Sequence, residues 1–165
     1  MAVKNLKDLY IHELKDLYSA DKQSKAIHKK ISKKVTNEKL KDAVSSCIEG
    51  IDEGMEMIKT ICERHDEKPT GMTCKGMKGL VEEAKAHVLE EDFKCKDARD
   101  ASIIAQSQRM THYAIAGYGT AAAFAKSLGF KKDAKELKTC LDNTYGGDRR
   151  MTKIATNGIN KDAKA

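Results

Sequence analysis

The sequence predicts an all-α protein built as a bundle of four long helices, and three observations carry that prediction. One proline and an aromatic content of 5% leave little of the punctuation and strand-forming chemistry that a sandwich or barrel needs. A charged fraction of 34%, with Lys, Ala, Glu and Leu frequent, suits long helices with solvated outer faces. Four stretches also carry apolar residues at helical spacing. At 165 residues the chain can bury a real core as one domain, expected over residues 1–160 with 161–165 as a frayed tail.

The first helix is predicted over Asn5 to Lys34, with Asn5 as its cap and Leu6, Leu9, Tyr10, Leu14, Leu17, Ala20, Ile27 and Ile31 as its stripe. The echo of LKDLY at 6–10 and 14–18 is too short in period for a solenoid. Thr36 and Asn37 punctuate the chain and open a second helix to about Arg64. Its stripe of Leu40, Val44, Cys47, Ile48, Ile51, Met55, Ile58 and Cys62 is strongly amphipathic. The segment 65–76, HDEKPTGMTCKG, holds the only proline and two glycines and reads as a long connection. A short helix follows over 77–91. The third long helix covers about 97–128 through Ile103, Ile104, Met110, Ile115, Tyr118 and Phe124, and Gly129 ends it. Asp133 is expected to open the fourth, over 133–156 through Leu137, Leu141, Met151 and Ile154. The tail from Asn157, NGINKDAKA, lacks a stripe and is expected to fray. Four long helices with one long crossing connection and a short extra helix between the second and third make a ferritin-like topology.

Composition also excludes function classes. No apolar run approaches the roughly 20 residues of a membrane span, and MAVKNLKDLY has no apolar signal core, so a soluble cytoplasmic protein is expected. The net charge of +6 invites a nucleic-acid reading. The lysines are interleaved with acids, however, and only Lys22, Lys25, Lys29, Lys30, Lys33 and Lys34 cluster, which favours a solvated helix face over a phosphate-binding surface. Cys47, Cys62, Cys74, Cys95 and Cys140 are widely spaced with no C-x-x-C pair, so they read as small core thiols unless the compartment is oxidising. No P-loop, G-x-S-x-G or dinucleotide fingerprint occurs. His12, His28, His65 and His87 have no partners at ligand spacing and are expected exposed or locally hydrogen-bonded. His112, beside Tyr113, is expected in a buried helix context.

Three strings, in order along nearly the whole chain, resemble the bacterial YciE/YciF ferritin-like family. ELKDLYSADKQ at 13–23 is similar to its E-L-x-D-L-Y-x-A-E-x-Q; EKPTGMTCKGMKGLVEEA at 67–84 to its E-K-P-x-G-x-x-C-x-x-M-x-G-L-x-x-E. QRMTHYAIAGYGTAAAFAKSLG at 108–129 is similar to its Q-R-x-E-H-Y-E-I-A-x-Y-G-T with an A-x-x-L-G ending. The resemblance implies a ferritin-like fold, a dimer, an association with bacterial stress responses, and a carboxylate-lined di-metal site at the bundle centre.

Carried over residue by residue, that site is mostly missing. Asp21 stands for the family's first-helix glutamate, one methylene shorter. On the second helix CIEGIDEG places Cys47, Gly50 and Gly54 at ligand positions, while Glu49 turns from the apolar stripe and Asp52 lies at its margin. On the third, Thr111 and Ala114 replace two acids and His112 stays; on the fourth, Thr144 replaces one acid and Asp148 survives. The residual ligands are therefore Asp21, Cys47, His112 and Asp148. Two cations need about four carboxylates, so charge balance fails. Gly50, Gly54, Ala114, Gly117, Gly146 and Gly147 remove volume from the middle, at roughly 0.5–1 kcal/mol per mid-helix glycine. That predicts a cavity that has collapsed or that admits a neighbour's side chains.

No cofactor is expected on this reading. The leading function is a non-enzymatic, stress-associated protein acting by self-association, as a homodimer or larger, or in a structural role. The alternatives are a residual iron or other divalent-metal protein with ferroxidase-like chemistry, and a basic nucleic-acid module.

Overall fold

The computed structural model describes residues 3–164; Met1, Ala2 and Ala165, the last residue of the expected tail, lie outside it. Among the described residues six α-helices form: α1 (Leu6–Ile31), α2 (Glu38–Arg64), α3 (Lys75–Ala84), α4 (Lys96–Ser127), α5 (Lys131–Ile154) and the short α6 (Asn160–Asp162). The four long ones make the bundle. α1 packs against α2 and α4, and α5 against the same two, so α1 faces α5 across one diagonal and α2 faces α4 across the other. The all-α, ferritin-like four-helix reading therefore holds.

The helix starts follow capping chemistry. Asn5 Oδ1 accepts from the Asp8 amide at 2.9 Å, and Asn37 Oδ1 from the Leu40 amide at 3.1 Å. The start of α2 is also held from outside. Asp100, fully buried on α4, accepts from the amides of Thr36 and Asn37 and from the Thr36 hydroxyl at 2.7 Å. Cys74 and Cys95 cap α3 and α4 through sulfur, which accepts from the amides of Met77 and Ala98. At the end of α4, Gly129 takes φ +76°, a left-handed conformation that lets the Phe130 amide close back on Ala125 O at 2.9 Å.

Two expectations need correction. The last long helix starts at Lys131, after Phe130, and Asp133 is not its cap. Asp133 is buried and is used across the bundle: it pairs with Arg64, lies 2.7 Å from His65 Nε2, and accepts from the Tyr10 hydroxyl at 3.0 Å. The chain beyond Asn157 does not simply fray either. α5 runs into a wide π-type turn (Ala155–Ile159) that buries Ala155 and Ile159. Met151, Ala155 and Ile159 recur at every fourth residue, so the buried face of α5 continues through the turn.

The connection between α2 and α3 is strapped to α1. Lys15 meets Glu67 at 2.7 Å, Gln23 donates to Cys74 O at 3.0 Å, and the Cys74 amide donates to Ser19 Oγ at 2.9 Å. The short helix α3 then packs on α1 and α4 before a second π-type turn, Lys85–Glu90.

The core is split into two apolar clusters. One gathers Tyr10, Leu14, Leu17, Ile58, Ile61, Ala121 and Leu137; the other gathers Ile27, Ile31, Leu40, Val44, Met77, Ile103, Met110 and Ile159. Leu9, placed on the first stripe from spacing, is partly exposed. The buried polar residues Asp21, Ser24 and His28 of α1 follow Leu17 of the first cluster and interleave with Ala20, Ile27 and Ile31 of the second. That polar layer defines the site.

Candidate functional site

A cleft of about 560 Å³ opens at the bundle centre, lined by all four long helices. α1 contributes Asp21, Ser24 and His28; α4 contributes Met110, Thr111, Ala114 and Tyr118. The α4 positions are spaced so that all four fall on one face. α2 and α5 form the walls and the mouth, where exposed residues such as Glu49, Gly50 and Glu53 lie.

Asp21 is at the floor, 3% exposed, with its Oδ2 accepting from the Tyr118 hydroxyl at 2.6 Å. Burial pushes its carboxyl up to about 7, and the Tyr118 hydrogen bond opposes that rise without cancelling it. Tyr118 itself is pushed up strongly, by burial first and then by the Asp21 charge. Its hydroxyl occupies the space next to Gly54: a Cβ there would lie 2.2 Å from it. The space beside Gly54 of α2 is filled from α4.

His28 is 1% exposed and faces the same cleft. Its Nδ1 donates to Ser24 O at 2.8 Å, because a carbonyl can only accept, and lies 3.2 Å from the Ser24 hydroxyl. Burial lowers its pKa and keeps the ring neutral. Nε2 is then left as an acceptor, 3.9 Å from Cys47 Sγ. Cys47 and Cys140 both line the cleft, and both thiols are pushed up to about 11, by burial first and then by the nearby Asp21 charge. They are protonated, unreactive thiols at neutral pH.

Of the four residual ligands read from sequence, the structure brings Asp21 and Cys47 to the cleft and leaves His112 and Asp148 outside it. His112 is exposed, which corrects the buried context expected for it. Its Nε2 lies 3.1 Å from Asp148 Oδ1, and Gln108 donates to the same oxygen at 3.0 Å, in a cross-link between α4 and α5. The reason is rotational: with Thr111, Ala114 and Tyr118 turned inward, the residue after Thr111 is carried 100° off that face. The five lost positions, Gly50, Gly54, Thr111, Ala114 and Thr144, all line the cleft. Glu49 lies at its rim, whereas Asp52 pairs with Lys25.

The cleft has not collapsed. Gly54 and Gly117 are tight, the latter against Leu17 at 2.7 Å, but a Cβ at Gly50, Gly146 or Gly147 would meet nothing within 4 Å. Only two of those glycines are therefore required by close approach.

The residues do not fit the di-metal group that the fold family implies. Among the described residues, no three His, Cys, Asp or Glu side chains come together as a metal-binding group. One buried carboxylate already bonded to a tyrosine cannot neutralise two cations. Sequence reasoning missed His28 and Tyr118. His28 lies seven residues after Asp21, two turns along one face, and Tyr118 lies seven after Thr111. That spacing was the available signal.

Comparisons with known proteins place the fold among relatives. The family model described as Domain of unknown function (DUF892) matches residues 5–164. The chain is 39% identical to Protein YciF of Escherichia coli (strain K12) over 165 residues, 99% of this chain and 98% of that protein. The crystal structure of the E. coli stress protein YciF matches with a TM-score of 0.89 at 38% identity, covering 96% of this chain and 99% of the other. "YcfI, a putative structural protein from Rhodopseudomonas palustris" matches with a TM-score of 0.85 at 29% identity, covering 91% and 94%.

Proposed function

Because the chain belongs to the YciE/YciF family of ferritin-like helical proteins, we propose that it is a stress-associated member that has given up di-metal chemistry and acts non-enzymatically, through self-association or a structural role. The observation that supports this most is the Tyr118 hydroxyl at 2.6 Å from Asp21, beside Gly54. A hydroxyl donor in that place occupies a lone pair of the one buried cleft carboxylate and fills volume that a ligand from α2 would need. Among the described residues no three His, Cys, Asp or Glu side chains gather beside it as a group that could hold a metal ion. The structural role draws its support from the relatives, one of which carries the description of a stress protein and the other that of a structural protein.

Metal analysis after anaerobic loading with ferrous iron and desalting tests the first half. Well under one equivalent per chain is expected, and two equivalents with oxygen consumption would sink the reading. Light scattering over a wide concentration range tests the second: a dimer or larger species is expected, and a monomer throughout would overturn self-association.

A further inference from the structure

We propose that the central cleft binds a flexible aliphatic polyamine, with one ammonium on Asp21 and the others at the acidic mouth. Asp21 is 3% exposed, and its only hydrogen bond among the described residues goes to Oδ2, from Tyr118. Its Oδ1 has no partner, and the carboxylate lines the cleft. Asp21 Oδ1 is not among the buried side-chain atoms left without a partner, so it opens to the cleft, and a carboxylate oxygen placed there with no protein donor suits a cationic ligand, since a charge-assisted N–H···O bond is the strongest available to it. Nothing on the floor competes for it: the neighbouring Cys47, Cys140 and His28 are neutral.

Above the floor the walls carry thioethers from three helices, Met57 of α2, Met110 of α4 and Met151 of α5. Unbranched, polarisable side chains adapt to a methylene chain of variable path. At the mouth Glu49 and Glu53 of α2 line the cleft and have no ion-pair partner among the described residues. Asp142 of α5 is already paired with Lys138 at 2.5 Å, and Arg150, the one cationic residue of the lining besides the neutral His28, is anchored to Ser46 Oγ at 3.1 Å. A deep carboxylate, an apolar passage and an acidic rim match two ammonium groups joined by methylenes. They oppose an anion, and they give a monoamine only the inner contact. A volume of about 560 Å³ accommodates such a chain, and the open space at Gly50, Gly146 and Gly147 gives it entry.

This proposal rests on the metal-free reading of the cleft, so the titrations run with a chelator present and the iron analysis above stands or falls separately. Calorimetric titration of the full chain with spermidine and 1,4-diaminobutane should show saturable binding of one amine per chain. n-Butylamine should bind more weakly, and succinate not at all. Asp21→Asn should weaken binding about tenfold or more, the weight of a hydrogen bond to a charged group. Glu53→Gln should narrow the gap between diamine and monoamine. Gly146→Leu, whose side chain would grow into open space, should abolish binding with no loss of melting temperature. Three results would overturn the proposal: no saturable binding, binding unchanged by Asp21→Asn and Gly146→Leu alike, or loss of self-association in Gly146→Leu with no amine binding by the parent chain. The last would mean that a lysine of a second copy occupies the cleft instead.

Discussion

Two aspartates of this bundle are equally buried and meet opposite surroundings. Asp133, 3% exposed at the Tyr10 end, receives the Arg64 guanidinium, the His65 ring and the Tyr10 hydroxyl. Asp21, also 3% exposed at the centre, has the Tyr118 hydroxyl and no cation. The first carboxylate ties α1, α2 and α5 together beside the packed rings of Tyr10, His65 and Phe130. The second sits beside an open cleft with its charge uncompensated. Burial alone does not decide what a carboxylate does for a fold; the donors that face it do.

Removing each one tests the contrast. Asp133→Ala should cost about 3–5 kcal/mol in urea unfolding, because it strands the buried Tyr10 hydroxyl and leaves Arg64 with Glu136 alone. A loss below 1 kcal/mol would mean the cluster is ornamental.

Asp21→Asn should act in the other direction, and with a pH signature. The folded carboxyl keeps its proton up to about 7, against an ordinary 3.8 in the unfolded chain. Between those values the native state holds the extra proton, so this group's effect on stability worsens as pH rises through the window and is constant above it. The variant should therefore be more stable than the parent by about 2–4 kcal/mol at pH 8 and nearly equal to it at pH 4. Equal stabilities at both pH values would remove the uncompensated charge from the account.

The smallest effects separate the glycines. Gly54→Ala pushes a methyl group onto the Tyr118 hydroxyl and should cost about 1–2 kcal/mol by breaking its bond to Asp21. Gly146→Ala meets open space and should gain about 0.5–1 kcal/mol from helix propensity. Equal effects in thermal melts would contradict the division between a filled and an open part of the cleft.

Much of this was legible in the chain. Asn5, Asn37 and Gly129 marked helix ends because capping is a local affair of one side chain and a few amides. The stripes on α1 and α2 were visible because period 3.6 is written in adjacent residues. The expected ligand positions Gly50, Gly54, Thr111 and Ala114 came instead from the family resemblance, which spacing alone does not supply. Asp133 looked like a cap because caps and buried ion-pair acceptors use the same residue type. Ile159 looked like tail because it is the one large apolar residue of NGINKDAKA, too few to draw a stripe.

The sequence by itself determined the helices and their order, which depend on residue type and on separations of a few positions. Only the tertiary structure decided that Tyr118 crosses from α4 to fill the space beside Gly54, that His28 turns inward while His112 turns out, and that the cleft stays open. Those outcomes depend on how side chains from different helices, tens of residues apart in the chain, compete for one volume. No local pattern encodes that competition; packing resolves it.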